Sequence, residues 1–334
     1  MKRLIAIVLA ICLCFVFSAC EEKKASISST SSVESVQSSP IGETPAPETQ
    51  AGSTPLLYRA EHTSGGVVWL FGSIHVGLKE MYPLPKYVIS AYYESEKLAV
   101  ECDITAEEDM SQAYSMLKAF ACPNGTTIED HISPEVYEKA KQALEELGFY
   151  NEYLDYYKPI LWQNFIEVSM YDTFGYDSDL GIDRHLLELA AKDKKEIAEI
   201  ESAEFQYNML SDFSLELQAL LLEETVEDYF EPDDAKKDMD ELFSLWREGN
   251  EQEFSKLLNE EDLSELNADE IELLEEYDKA MLTDRNIGMA DYAEEELTNG
   301  KKTFICVGAA HIVGEGAVVD LLRERGYTVE LISN

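Results

Sequence analysis

The sequence predicts an α/β protein whose central sheet is built by the two ends of the folded chain, with a largely helical insertion between them. Three observations support this fold class. Apolar runs rich in β-forming residues, each stopped by a glycine, occur at 67–71 and 303–307. Helical patterns alternate with short strand-like runs between about 85 and 201. Residues 203–298 are rich in Glu and Leu with little β-branching, which predicts an almost wholly helical segment.

The individual elements follow from hydrophobic runs and from the residues that end them. Pro85 is placed at the start of a helix, where its missing N–H costs nothing, and Gly326 is placed just after the last helix. The predicted strands cover 67–71, 98–100, 196–201, 303–307 and 327–332. The predicted helices outside the insertion cover 85–96, 107–119, 134–147, 159–171, 181–192 and 316–325.

The first 55 residues are excluded from the folded part. Lys2 and Arg3 precede an apolar run over 4–17, which is shorter than the roughly 20 residues that span a bilayer. The run leads into Ser18-Ala19-Cys20, which resembles the cleavage site of a bacterial lipoprotein signal. We therefore expect a signal peptide over 1–19 and a lipidated Cys20, with an ordinary secretory signal or an uncleaved anchor as the alternatives.

Residues 20–55 are mostly Ser, Thr, Pro, Glu and Gln, and such a composition cannot bury enough apolar surface to fold. The prediction is a disordered tether followed by a folded domain over 56–334. The chain would then be held at the cell membrane by its lipid, facing the extracytoplasmic side.

The charge excludes one class of partner. With 26 basic and 67 acidic residues the net charge is −41, so a sequence-independent nucleic-acid binder is excluded. Anionic lipid would also be repelled, which makes membrane association depend on Cys20. Most of the acidic excess lies in the helical insertion, where a solvated helix surface explains it and where the spacing does not match a calcium-binding loop.

The two ends of the folded part carry the same motif. Gly72 and Gly308 each follow a buried strand and each begin a G-x-x-H sequence, ending at His75 and His311. Ligands in open α/β sheets bind where loops converge at the carboxyl ends of strands. Pairing of the two units would bring both histidines to one crevice, with Glu101 at the end of the next strand. Two histidines and a carboxylate predict a divalent Zn, Mn, Co or Fe site, although either motif alone would more often be a packed histidine.

Five ordered motifs extend this pattern across the domain: Trp69-Leu-Phe-Gly-Ser-Ile-His-Val-Gly77, Leu98-Ala-Val-Glu-Cys-Asp103, Gly181-Ile-Asp-Arg-His-Leu-Leu186 with Glu199-Ile-Glu-Ser-Ala-Glu-Phe-Gln206, Asp284-Arg-Asn286, and Val307-Gly-Ala-Ala-His-Ile-Val-Gly-Glu-Gly316. With these motifs the chain resembles the TraB/GumN family, from about 57 to 332. The resemblance implies a fold related to the erythromycin-esterase and ChaN-like group. For the Tiki branch of the family it implies a metal-dependent protease that acts near a membrane.

The resemblance also implies site residues. His75, Glu101 and His311 match the family's presumed metal and catalytic positions, with Glu101 as a third ligand or as a general base. Arg285 and Asn286 match further motif positions, as does Glu201.

The roles of these three residues stay open at the level of sequence. Arg285 would bind an oxyanion or a substrate carboxylate, or would pair with a helix carboxylate such as Glu275 or Asp278. Asn286 would orient a ligand or cap local backbone. Glu201 would be a second carboxylate in the crevice or an exposed acid.

Six further residues are not assigned to the site. Asp183 and His185 lie two positions apart on a helix and cannot share a face, so Asp183 is expected to cap or brace the helix start and His185 to be packed or at the surface. Ser73 lies beside His75, but no G-x-S-x-G elbow supports a serine nucleophile. Cys102 and Cys306 lie in strand-like runs and are expected to be buried free thiols, with Cys122 the remaining cysteine of the domain.

The sequence therefore predicts a membrane-anchored, extracytoplasmic metallohydrolase that acts on a peptide or protein substrate. The competing hypothesis is a lipoprotein that sequesters a peptide or another small ligand, such as haem, without cleaving it. Haem binding is the weaker form of this alternative, because the sequence has no C-x-x-C-H motif.

Overall fold

The computed structural model describes residues 53–106, 110–259 and 266–332. A six-stranded mixed sheet lies at its centre, in the order β4-β3-β5-β2-β1-β6. The strands are β1 (Leu57–Glu61), β2 (Val67–Ser73), β3 (Lys97–Val100), β4 (Glu196–Glu199), β5 (Lys302–Gly308) and β6 (Val329–Ile332). The two strands that carry the G-x-x-H motifs are thus neighbours in the middle of the sheet.

The direction of the strands sets where their ends meet. β2, β3 and β4 form one parallel set with β5, whereas β1 runs antiparallel to both β2 and β6. In the β2–β5 pair Gly72 faces Val307 and Ser73 faces Gly308. Because the pairing is parallel, both G-x-x-H turns leave the sheet at the same edge.

Helices make up most of the remaining structure. The α-helices are α1 (Lys86–Glu94), α2 (Met110–Ala119), α3 (Pro134–Leu147), α4 (Pro159–Thr173), α5 (Ile182–Asp193), α6 (Ala203–Ser211), α7 (Leu215–Phe230), α8 (Asp233–Glu248), α9 (Glu251–Asn259), α10 (Ala268–Asp278), α11 (Asp284–Thr298), α12 (Ala309–Ile312) and α13 (Val318–Glu324). A π-helical turn, Lys279–Thr283, joins α10 to α11. Within the described ranges, none of the helices combines the length and the apolar character that crossing a bilayer requires.

The core joins the sheet to the helical insertion. Every residue of β2 is buried, and Phe71 packs against both Phe304 of β5 and Trp246 of α8. A second, smaller cluster of buried residues lies among α3, α4 and α7 around Trp162 and Ile166. The insertion is therefore packed on the sheet by its apolar faces, and its acids lie mainly on the solvated side.

The predicted fold class is confirmed, with two differences in detail. Strand β1 was not predicted; its pattern LYRAE alternates poorly because it lies between two strands and is buried along most of its length. The almost wholly helical segment predicted over 203–298 is present as six α-helices, and Ser214, Pro232 and Gly249 lie at three of the breaks between them. The predicted signal peptide, Cys20 and nearly all of the tether lie outside the described residues.

Candidate active site

Both G-x-x-H turns reach the same edge of the sheet, as the pairing of β2 with β5 requires. Gly72 has to be a glycine, because a Cβ there would lie 2.9 Å from the Cα of Ala309. The close approach of these two segments brings the second motif against the first, and the histidine of the second motif lies on the short helix α12. His75 and His311 are both buried, and His311 is completely inaccessible to solvent.

His75 is held by a residue that sequence reasoning placed outside the site. Asp183, at the start of α5, lies with Oδ2 2.7 Å from Nδ1 of His75 and accepts a 2.6 Å hydrogen bond from Ser73 at its Oδ1. Helix α5 can approach this closely because Gly181 lies against the carbonyl of His75, where a Cβ would be 2.3 Å from that oxygen. The backbone N–H of Ile182 then donates to Ile74 at 3.0 Å and fixes the helix start.

The electrostatics of this pair favour an ionised acid. Burial lowers the pKa of His75, but the charge and hydrogen bond of Asp183, together with the charge of Glu101, outweigh burial and raise that pKa above its ordinary value. Burial raises the pKa of Asp183, but His75 and the Ser73 hydroxyl outweigh it and lower that pKa. A negative charge is thus retained beneath the histidine inside the protein.

His311 has different surroundings. Its Nδ1 lies 2.7 Å from Oδ1 of Asn286, and Nδ2 of Asn286 donates to the carbonyl of Gly316 at 3.1 Å. Burial, followed by the positive charges of Arg285 and His75, lowers the pKa of His311 well below its ordinary value, so the imidazole is neutral. Its Nε2 is buried and makes no hydrogen bond to any described residue.

Glu101 follows β3 and reaches between these groups. Its Oε1 accepts the backbone N–H of Gly308 at 2.7 Å and lies 3.9 Å from Nε2 of His311. Its Oε2 accepts from Arg285 and, at 3.0 Å, from Nε2 of Gln206 on α6. The carboxylate is therefore fixed in orientation, with Oε1 on the side of the histidine.

Arg285 joins Glu101 to Glu201. Its Nε donates to Oε1 of Glu201 at 2.8 Å and its Nη2 donates to Oε2 at 2.9 Å, so that the contact is bidentate. Its Nη1 donates at 3.3 Å to the carbonyl of Met281, in the π-helical turn that precedes α11. Gln206 also donates to Glu201, at 2.8 Å, so both acids share the same two donors.

Five of the six residues predicted for the site are thus joined by contacts, and the sixth, His75, lies with Asp183 near enough for the charge of Glu101 to act on its pKa; together they form the network of the candidate site. Sequence reasoning missed three of its members: Asp183, Ser73 as a hydrogen-bond donor, and Gln206. Asp183 directly follows Gly181-Ile182, and a glycine before an acid at a helix start was the available signal for a close approach. His185 packs instead against the ring of Tyr82, as predicted, with ring centroids 4.4 Å apart.

The side chains of the site include the nitrogen and oxygen donors that a divalent cation binds. Within the described ranges no three His, Cys, Asp or Glu side chains are arranged as a metal cluster. The two histidines nevertheless fit such a ligand, because each has Nδ1 against an oxygen and His311 has an unpartnered Nε2 facing Glu101. The free thiols of Cys102 and Cys306 are buried as predicted, and burial raises the pKa of each, so neither supplies a thiolate.

Comparisons with known proteins identify the family of the chain. The model of the TraB/PrgY/gumN family matches residues 56–331. The uncharacterized protein YbaP of Escherichia coli (strain K12) and that of Shigella flexneri are each 29% identical over 143 residues, which is 42% of this chain and 50% of each relative. The matched part is thus about half the length of these curated relatives. No solved structure matches. Since the family model covers nearly all of the described domain, including every residue of the network, the chain belongs to the TraB/PrgY/gumN family.

Proposed function

We propose that this protein is a metal-dependent hydrolase that cleaves a peptide or protein substrate on the extracytoplasmic side of the membrane. One observation carries the proposal: Nε2 of the completely buried His311 has no hydrogen-bond partner among the described residues and lies 3.9 Å from a carboxylate oxygen of Glu101. An unsatisfied buried acceptor is costly and needs a reason. A ligand that accepts electron pairs from both groups supplies that reason.

In this proposal His75 and His311 hold the cation, and Glu101 contributes Oε1. The cation, which would be Mn, Co, Zn or Fe, would polarise a carbonyl group and make a water molecule more acidic. All other steps fall to the chain's own groups.

Glu101 is the candidate general base. A carboxylate oxygen has two lone pairs, and the N–H of Gly308 occupies one of those on Oε1. The other either serves the cation as a third ligand or takes a proton from an attacking water and passes it to a leaving amine, and one lone pair does only one of these at a time.

Arg285 and Glu201 are assigned to the support of Glu101. The guanidinium donates to both carboxylates, so it balances part of their charge and fixes the side chain of Glu101. This role replaces the oxyanion-binding role that the sequence allowed for Arg285. In the same proposal Asn286 acts on His311 and does not touch substrate.

A second candidate function is peptide sequestration without cleavage. The observation that favours it is the burial of the network, whose histidines, Glu101 and Arg285 are all less than 9% exposed. A substrate would need an opening movement to reach these groups, whereas a binding protein would not use them directly.

The test uses the full chain, in wild-type form and with His75→Ala plus His311→Ala. The wild type is expected to hold about one divalent ion per chain and to cleave members of a peptide library, with cleavage lost on chelation and restored by metal. The double variant is expected to lose both properties. His131→Ala is the matched control, because His131 bonds to Thr126 far from the network in sequence and should change neither.

The other outcomes separate the alternatives. Retention of peptides without cleavage would favour sequestration, and a Soret band on addition of haem would favour haem binding. Unchanged metal content in the double variant would exclude the shared site. Membrane fractionation of Cys20→Ala tests the anchor, since release of the variant into the soluble fraction is expected.

A further inference from the structure

The two candidate histidines share a feature that neither the motifs nor the family match assigns. Each ring has Nδ1 against a side-chain oxygen 2.7 Å away: Oδ2 of Asp183 for His75 and Oδ1 of Asn286 for His311. Both oxygens belong to residues on helices, at the beginnings of α5 and α11. We propose that Asp183 and Asn286 are positioning residues that fix Nε2 of both histidines as the nitrogens facing a bound divalent cation, an inference that rests on the proposed function.

The proton on His311 follows from the hydrogen bonds alone. The carbonyl of Gly316 can only accept, so the side of Asn286 that faces it has to be the NH₂ group. The side facing His311 is then the amide oxygen, which also only accepts. Nδ1 of His311 must therefore donate, and a neutral ring with its proton on Nδ1 has a bare lone pair on Nε2.

Asp183 performs the same task on His75 with a charge. Ionised carboxylate oxygens only accept, so Nδ1 of His75 carries the proton that lies between the two groups. Ser73 Oγ donates to the other oxygen of Asp183 and keeps the carboxylate from turning. The carboxylate thus fixes the ring orientation and leaves Nε2 as the nitrogen on the side away from Asp183.

The placement of the orienting residues is specific to this fold. Asp183 depends on the contact of Gly181 with the His75 carbonyl, and Asn286 directly follows Arg285, which holds Glu101. One short segment of α11 therefore positions both Glu101 and His311. Outer carboxylate and amide partners of this kind typically change metal affinity by about 10- to 100-fold when they are removed.

The first experiment needs no variant in the site. We expect long-range ¹H–¹⁵N spectra of metal-free, ¹⁵N-histidine-labelled protein to show His311 as a neutral ring protonated at Nδ1. Addition of zinc should shift the Nε2 signals of His75 and His311 and leave those of the other three histidines unchanged. A proton on Nε2 of His311, or a zinc-induced shift that is larger at Nδ1 than at Nε2, would overturn the inference even if every variant failed to fold.

The second experiment measures zinc affinity by calorimetry. Asn286→Ala is expected to weaken binding by about 10- to 100-fold, whereas Asn286→Asp keeps an oxygen toward His311 and should recover most of that loss. Asp183→Asn should weaken binding by a similar factor, because a single amide oxygen would have to serve both Ser73 and His75. Asn299→Ala, at the exposed end of α11, is the control and should stay within about twofold of the wild type.

The outcomes distinguish this inference from the proposed function. Tight zinc binding by the wild type with unchanged affinity in Asn286→Ala and Asp183→Asn would overturn the positioning roles and leave the hydrolase proposal intact. Oriented histidines that bind zinc without any hydrolysis would support the positioning roles and contradict the hydrolase. A wild-type chain that binds no divalent cation would overturn both.

Discussion

Two buried glutamates show how differently this protein treats charge in its two layers. Glu101, at the edge of the sheet, is bonded to Arg285, to Gln206 and to the N–H of Gly308. Glu167, on α4, is equally buried but is bonded only to the neutral donors Tyr171, at 2.7 Å, and Gln163, at 2.8 Å. No described lysine, arginine or histidine forms a salt bridge with Glu167.

The consequence appears in the acidity of Glu167. Burial raises the pKa of Glu167 to about 8, although the hydrogen bonds from Tyr171 and Gln163 act in the opposite direction. At neutral pH this acid is mostly protonated and behaves as a polar packing group. The comparison indicates that at the sheet edge the charge of Arg285 compensates a buried acid, Glu101. In the helical layer the buried acid, Glu167, instead takes up a proton.

The largest expected effect follows from removal of the Arg285 guanidinium at the sheet edge. Arg285→Met would leave the buried Glu101 and the mostly inaccessible Glu201 without a compensating charge, and breaking such a buried pair costs about 3–5 kcal/mol in the free energy of unfolding. Denaturant unfolding at neutral pH measures this cost.

Arg325→Met provides the control for that experiment. Arg325 pairs with Asp291 and Glu294 of α11, the helix that also carries Arg285. These pairs are partly exposed and should each contribute about 0–1 kcal/mol to stability. Equal losses in the two variants would mean that the compensation of Glu101 and Glu201 contributes nothing special.

The next effect is a pH dependence that originates in the helical layer. Because the pKa of Glu167 is raised on folding, the folded state holds a proton that the unfolded state releases, so stability falls as the pH rises from about 4.5 to about 8. Glu167→Gln removes this slope. At about 1.4 kcal/mol per pH unit, the variant should gain about 2–3 kcal/mol on the wild type between pH 5 and pH 7.

The matched control for this slope is Glu296→Gln. Glu296 is also buried, but Lys97 lies 2.9 Å from its carboxylate, so the amide should destabilise the protein at neutral pH. If Glu167→Gln retained the wild-type slope, another group would have to be responsible for it.

Sequence predicted the sheet-edge site far better than the helical layer. Gly72, His75, Gly308 and His311 could be found because a glycine after a buried strand marks a turn at a sheet edge, which is a local signal. Gln206 could not be assigned, since its contacts depend on how α6 returns to the sheet, and Gly181 signalled a close approach near Asp183 without naming His75 as the partner. Glu167 lies in a correctly predicted helix, but its burial is decided by packing against α7, which no periodicity within one helix reveals.

Two glutamines, Gln206 and Gln163, donate to the two kinds of buried acid, and their loss should have smaller effects on stability. Nε2 of Gln206 donates to Glu101 and Glu201, whereas Nε2 of Gln163 donates to Glu167 and, at 3.3 Å, to Thr225. Hydrogen bonds to charged groups contribute about 1.5–3 kcal/mol and neutral ones about 0.5–1.5 kcal/mol. We therefore expect Gln206→Leu to destabilise the protein more than Gln163→Leu at pH 7. If chemical unfolding showed a larger loss of stability for Gln163→Leu than for Gln206→Leu, Glu167 would be the charged acid of the pair Glu101 and Glu167.

The smallest effect concerns two buried tryptophans. The indole N–H of Trp246 donates to the carbonyl of Gly72 at 2.9 Å, and that of Trp162 donates to Leu154 at the same distance. Replacement of either by Phe loses one such bond, so both variants should lose about 1 kcal/mol of stability.

Of the two tryptophans, only Trp246 lies behind a G-x-x-H turn, where it also packs on Phe71. Trp246→Phe alone should weaken zinc binding, by about threefold for a loss of about 0.7 kcal/mol. Equal zinc affinities in the two variants would mean that the insertion only covers the sheet edge and does not position it.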